Sequence, residues 1–138
     1  MRVSQRLDYA LRALVLLAAQ PVDDWVAAGD LAERLGLPKR FVEQQVSALS
    51  RAGITDCRRG SAGGCRLARP ADDVTVREVI EALQGEVLDV PHQSDSATAE
   101  FWQETASSLS GFTGSRTLAE LVERQNELDL AAEPIYYI

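Results

Sequence analysis

The stretch from Ala28 to Gly53 limits what this chain can fold into more than any other. Leu31 and Leu35 stand four residues apart, so both fall on one face of a short helix. Gly36 follows where a helix end needs a left-handed residue, a conformation that glycine adopts without a Cβ clash. Leu37-Pro38 leads into a second helix, with Pro38 suited to the first turn, where its missing N–H costs nothing. This helix is expected from Lys39 to about Ala52, with Gly53 as its stop. Two short helices on so tight a turn predict a helix-turn-helix, a unit whose second helix fits the major groove of DNA.

Such a helix needs two faces, and the sequence supplies both. Val42, Val46 and Leu49 share one side at spacings of four and three. Arg40, Glu43, Gln44, Ser47 and Arg51 share the other, with Lys39 at the start. Arginine bridges guanine acceptors, glutamine bridges adenine, and glutamate accepts from the cytosine amino group. An ordinary solvated face is the bland alternative; the order of turn, spacing and hairpin argues against it. Ile54 to Arg58 reads as a strand, Arg59 to Gly64 as a flexible loop, and Cys65 to Ala68 as the return strand, closed by Pro70. Arg58, Arg59 and Arg66 surround the glycine-rich tip that holds Gly60 and Ser61. Arginines there clamp phosphates or enter the minor groove. The rival for a glycine-rich loop is a nucleotide phosphate site. This loop lacks the Lys-Ser/Thr of a P-loop and sits in a hairpin, not a strand-to-helix turn.

The flanking elements follow from periodicity. Leu7, Ala10, Leu11, Leu14, Leu17 and Ala18 predict a first helix, with Ser4 as its N-cap and Pro21 past its end. Trp25-Val26 reads as a brief strand, and Trp25 as a core or interface anchor. Thr75 caps a helix bearing Val76, Val79, Ile80 and Leu83. Val87 to Val90 reads as extended, and Pro91 to Ser96 as a polar loop. A helix from Ala97 to about Leu109 carries Phe101, Trp102, Ala106 and Leu109, with Gly111 and Gly114 as breakers. Leu118, Leu121 and Val122 suggest a last short helix, and the tail Ile135-Tyr136-Tyr137-Ile138 is apolar enough to dock. The predicted fold is mainly α with a small β-hairpin: a winged helix-turn-helix over residues 1–84 and a C-terminal helical segment over 85–138.

The net charge of −7 argues on its face against a nucleic-acid partner. Its distribution reverses that reading. Residues 1–70 carry 11 Arg and Lys against 7 Asp and Glu, a net +4, while residues 71–138 carry 3 against 14, a net −11. A basic half beside an acidic one points to nucleic acid for the first and away from it for the second. No apolar run is long enough for a membrane span and the N-terminus does not read as a secretory leader, so a soluble cytoplasmic protein is expected. One histidine, no nucleophile elbow and no paired-carboxylate cleft give no support to an enzyme. His92 alone leaves little for a protein-only metal site, and an exposed loop histidine is its simpler reading.

Cys57 and Cys65 are too few for a disulfide framework. Their spacing about a loop centred near Ser61 places them opposite one another if the hairpin is regular, within the roughly 7 Å of Cα separation that bridging needs. They are a candidate redox pair that would stiffen or reshape the wing. Two reduced cysteines serving as small hydrophobes beneath it are the alternative.

Several segments resemble the Rrf-type family of bacterial transcriptional regulators. They are Met1-Arg2-Val3-Ser4 with Asp8-Tyr9-Ala10, Leu31-Ala32-Glu33 with Phe41-Val42-Glu43-Gln44, and Arg59-Gly60-Ser61-Ala62-Gly63-Gly64. Arg66-Leu67-Ala68, Glu78-Val79-Ile80 and Thr117-Leu118-Ala119-Glu120-Leu121-Val122 complete the set, which spans nearly the whole chain. The resemblance implies a sequence-specific DNA-binding regulator, a repressor in our reading. It implies a homodimer on a pseudo-palindromic double-stranded operator, paired through the helix holding Phe101, Trp102 and Leu109. A C-terminal part too small for its own core fits that need. It also implies DNA contact by Arg40, Glu43, Gln44 and Arg59. Many members hold an iron–sulfur cluster with three cysteines in the loop before the dimerisation helix. Here that loop, Val90 to Thr98, has none. Asp8 matches an acidic position that completes the cluster in some relatives. The expectation is therefore no cofactor, with control by redox state or a small-molecule effector. An atypical iron–sulfur-responsive regulator and a winged helix used to bind protein are the other readings.

Overall fold

A computed structural model describes residues 2–91 and 95–133. The expectations for His92 and for the tail Ile135 to Ile138 lie outside the described residues. The chain runs α1 (Gln5–Ala18), α2 (Ala28–Leu35), α3 (Lys39–Arg51), β1 (Thr55–Arg58), β2 (Gly64–Leu67), α4 (Val76–Gln84), α5 (Ala97–Gly114) and α6 (Leu118–Ala132). Among the described residues, no helix is long and apolar enough to cross a membrane.

Ser4 caps α1 by accepting from Leu7 N at 3.1 Å, as a side-chain oxygen at this position should. The α2–α3 turn is built on Gly36 at φ +68°, the left-handed state that the sequence requires there. Pro38 stands one residue ahead of α3, at its N-cap. Leu14, Leu31, Leu49, Ile54, Val74 and Val79 share one core, fully buried or nearly so, with Val42 and Val46 of α3 beside them. Each such aliphatic side chain contributes about 1.5–3 kcal/mol on burial.

The hairpin is a two-stranded antiparallel sheet in which Cys57 faces Cys65. Trp25-Val26 makes no named strand, but Val26 adds a single bridge to Cys65 on the outer side of β2. Val87 to Val90 likewise forms no strand. The wing root is tied to α4 by Arg69, whose Nη1 donates to Glu78 Oε2 at 2.6 Å and whose Nε donates to Asp73 Oδ2 at 3.2 Å. Glu78 also closes a capping box with Thr75.

Two expectations about the C-terminal part need correction. The helix expected to stop near Leu109 continues through Gly111 to Gly114. A glycine inside a helix costs only about 1 kcal/mol, which lowers stability without forcing an end. The true stop is tertiary. Val76 N donates to Arg116 O at 2.9 Å and Leu118 N to Val74 O at 3.0 Å, so residues 116–118 are drawn into extended pairing. The last helix is also not short: α6 has 15 residues. Its exposed side chains are laced by Arg124–Glu127 and Gln125–Asp129 contacts at 2.8 Å, spacings that support a helix where burial does not. Its first residue, Leu118, is fully buried in the common core, and α6 packs along α1.

Candidate DNA-binding surface

The second helix of the pair, α3, is held rigidly from three sides. Val42, Val46 and Leu49 are 2%, 1% and 0% exposed. Gln45 is buried too, and Arg6 Nε donates to its Oε1 at 2.7 Å, which ties the start of α1 to α3. At the other end buried Thr55 donates from Oγ1 to Val46 O at 2.9 Å, so β1 leaves α3 at a fixed angle. Neither polar anchor was marked by periodicity. Both occupy positions that an apolar pattern leaves blank, and only a distant partner makes them buriable.

With one stripe consumed by the core, the rest of α3 faces solvent. Lys39, Arg40, Glu43, Gln44, Ser47 and Arg51 are all exposed. Helical spacing sets Arg40, Gln44, Ser47 and Arg51 along one stripe and Lys39 and Glu43 beside it. Lys39 Nζ lies 3.7 Å from Glu43 Oε1, a solvent-exposed pair one helical turn apart. A groove of about 770 Å³ separates α3 from the hairpin. Lys39, Glu43, Ser47 and Arg51 line it from the helix, and Cys57, Arg58, Arg59 and Gly60 from the wing. Arg40, Gln44, Ser61 and Arg66 do not line it; the first three are exposed beside it.

The wing is held close to the body. Gly64, at φ +145°, approaches the Val26 backbone so tightly that a Cβ there would overlap it. Of the two places expected for Trp25, core or interface, the core is not the one it takes. Its half-buried ring is a surface platform for the hairpin: the Arg58 and Arg66 guanidinium carbons lie 4.3 and 4.2 Å from its centroid. Alternation along the strands puts these two arginines on the face opposite Cys57 and Cys65. Arg58 also donates to Ala62 O at 3.0 Å. Of the wing arginines, Arg59 at the tip has no such engagement among the described contacts and is exposed in the groove.

The side chains of α5 stand apart from this site. Phe101 and Trp102 meet edge to face at 5.1 Å between centroids, and both are exposed. Leu109 is half-buried. Phe112 is exposed, with the Arg116 guanidinium 5.1 Å from its ring centroid.

The donor set does not fit an iron–sulfur cluster. Such clusters are held by thiolates, with histidine in special cases. The chain has two cysteines, and they are joined to each other in the wing as a disulfide. Asp8 pairs with Arg12 at 3.1 Å. Among the described residues, no group of three His, Cys, Asp or Glu side chains could hold a metal ion.

Comparison with known proteins agrees with this geometry on family and fold. The Rrf2 family model, described as an iron-dependent transcriptional regulator, matches residues 3–124. The HTH-type transcriptional regulator IscR of Photobacterium profundum is 31% identical over 139 residues, covering 95% of this chain and 81% of its own. IscR of Xenorhabdus nematophila is also 31% identical, over 95% of this chain and 85% of its own. The solved structure of T. potens IscR superposes with a TM-score of 0.81 at 30% identity, over 99% of this chain and 95% of that one. CymR, the global cysteine regulator of B. subtilis, gives 0.79 at 25% identity, over 90% and 98%.

Proposed function

Because the chain belongs to the Rrf2 family of transcriptional regulators, we propose that it binds an operator in double-stranded DNA as a homodimer and represses transcription without an iron–sulfur cluster. The observation that carries this reading is the exposed stripe of α3 across the groove from Arg59. Arg40, Gln44 and Glu43 offer base-edge contacts, while Lys39, Ser47, Arg51 and the tip residues Arg59, Gly60 and Ser61 reach phosphate and sugar. Arg58 and Arg66, engaged by Trp25, stiffen the wing and lend it positive charge. Residues 1–84 form the DNA-binding part. Residues 85–138 carry Phe101, Trp102 and Leu109 to a second copy. Two copies related by a twofold axis present two α3 helices to successive major grooves. The acidic C-terminal half faces away from phosphate, and the protein works in the cytoplasm.

Selection of duplexes from a randomised pool, followed by footprinting, tests this. The expected product is an inverted repeat whose half-sites are centred about one helical turn, roughly 34–36 Å, or a multiple of that apart. Recovery of no duplex above background would overturn the DNA-binding reading in favour of a protein-binding winged helix. An absorption spectrum of anaerobically purified protein tests the cluster-free part. A colourless protein is expected, and visible absorption with stoichiometric iron would restore the iron-responsive reading.

A further inference from the structure

The two cysteines occupy a special place in the hairpin. Val26 N donates to Cys65 O at 2.9 Å, and Cys65 N donates to Val26 O at 2.8 Å. In an antiparallel ladder the N–H and C=O of one residue point to the same side. Cys65 therefore has no backbone group left for Cys57, its register partner across the hairpin. The pair is of the non-hydrogen-bonded kind, in which opposed side chains come closest, and its Cα atoms are 4.3 Å apart. Both cysteines border the groove, but they are unequal in access: Cys57 is exposed, while Cys65 is buried against the core. The same groove wall carries the cations Lys39, Arg51 and Arg59, together with the carboxylates of Asp30 and Glu43.

We propose that Cys57 and Cys65 form a thiol–disulfide site that is closed by hydroperoxides and opened by low-molecular-weight thiols, and that its state sets how firmly the wing is held for DNA. This rests on the DNA-binding reading above. The order of events follows from access. In the open form the Cys57 thiolate attacks a peroxide oxygen; the O–O bond breaks and the alkoxide leaves, taking up a proton as an alcohol. Cys57 is now a sulfenic acid. The Cys65 sulfur attacks it, the S–S bond forms, the S–O bond breaks, and hydroxide leaves with the Cys65 proton as water. Two thiols lose two electrons and one hydroperoxide gains them. Reopening starts at the exposed sulfur: an external thiol attacks Cys57, freeing the Cys65 thiol, and a second external thiol leaves with the first as a disulfide.

The consequence for DNA follows from what is fixed. Cys65 is held by the core and by Val26, and β1 is anchored at Thr55 by its bond to Val46. When the S–S bond opens, the sulfurs part to non-bonded distance and the covalent tie across the hairpin is lost; Arg58 stays on Trp25 and paired with Gly64, so the freedom gained falls to the tip from Arg59 onward. A loosened tip must be ordered again on binding, an entropy that the closed form has already lost. The closed form is therefore the tighter binder.

The test uses the full chain, oxidised with hydrogen peroxide or reduced with dithiothreitol, beside Cys57→Ser, a substitution at an exposed position. Mass and thiol counts follow the chemistry, and anisotropy on duplexes selected from a randomised pool by each form follows the binding. The expected result is an intramolecular Cys57–Cys65 bond and roughly tenfold tighter binding when oxidised, reversed by dithiothreitol. Cys57→Ser should bind at the reduced level under both treatments. Equal affinity of the two forms, a redox response that survives in Cys57→Ser, or oxidation of Cys57 to a sulfinic acid without the S–S bond would each overturn the proposal. If the bond forms but neither state binds any duplex, the DNA-binding reading itself falls, and this proposal with it.

Discussion

Helices α3 and α5 solve opposite problems. α3 buries Val42, Val46 and Leu49 almost completely within its own chain and presents a charged, hydrogen-bonding stripe. α5 is longer, 18 residues against 13, yet its one buried residue is Ala99; Phe101, Trp102 and Phe112 stay exposed. A helix whose apolar side is already covered has no need of another hydrophobic surface, so its free face is left to water or to a polar, charged ligand. A helix that leaves large aromatics in water gains most from a second protein surface. The charge distribution agrees, with the basic half holding α3 and the acidic half holding α5.

The largest effect is expected at α5. Replacing both Phe101 and Trp102 with glutamate should convert the proposed dimer to monomer in sedimentation velocity. The circular dichroism spectrum should stay unchanged, because neither side chain is in the core. Operator affinity should then fall about 10²- to 10⁴-fold, the loss expected when two linked half-site contacts become one. Unaltered assembly would show that α5 is not the interface. The next largest effect separates the helices by stability. Leu49→Ala should lower the unfolding free energy by about 2–5 kcal/mol, since it empties a fully buried site. Phe112→Ala, at an exposed site of α5, should cost less than about 0.5 kcal/mol in the monomeric background. Similar losses in chemical denaturation would erase the distinction. Smaller still is Arg51→Ala on the outward face of α3. It should reduce the slope of log affinity against log salt by about 1, the signature of one lost phosphate contact.

The smallest effect lies at the joint between the two regions, where Arg69 fastens the wing root to α4, the helix on which α5 rests. The Arg69 hydrogen bond holds the Glu78 carboxyl below its ordinary value, against a desolvation that acts the other way. A depressed folded value adds stability that is present above the ordinary 4.5 and is lost as pH falls through the folded value. Glu78→Gln should therefore be less stable at neutral pH, by no more than about 1 kcal/mol for a pair this open to solvent. Its deficit should shrink below pH 4.5 in urea titrations. A deficit that grows on acidification would contradict this account.

Much of this architecture was legible because local chemistry specified it. Gly36 and Gly53 sit at positive φ, and Ser4 and Thr75 cap as their side chains dictate. The hairpin register that opposes Cys57 to Cys65 follows from loop length and the strand period of two. What was not legible depends on distant partners. Gly111 reads as a breaker until the pairing of residues 116–118 with 74–76 supplies the real stop. Trp25 reads as a core or interface anchor because its size favours burial. Its role as a platform needs both hairpin strands, some 33 to 41 residues away in the chain. The exposed face of α3 was legible residue by residue, since the apolar stripe of Val42, Val46 and Leu49 leaves only one side for Arg40, Gln44 and Arg51.

DNA binding as proposed needs α3 and the wing tip together. Anisotropy with a pool-selected duplex, comparing wild type with the Arg40→Ala, Arg59→Ala double variant at matched salt, tests it most directly. The double variant is expected to stay folded and dimeric while its affinity falls by roughly 2–5 kcal/mol, about 1–3 from a lost bidentate base contact and the rest from the lost wing-tip charge. An unchanged affinity in a folded variant would contradict this.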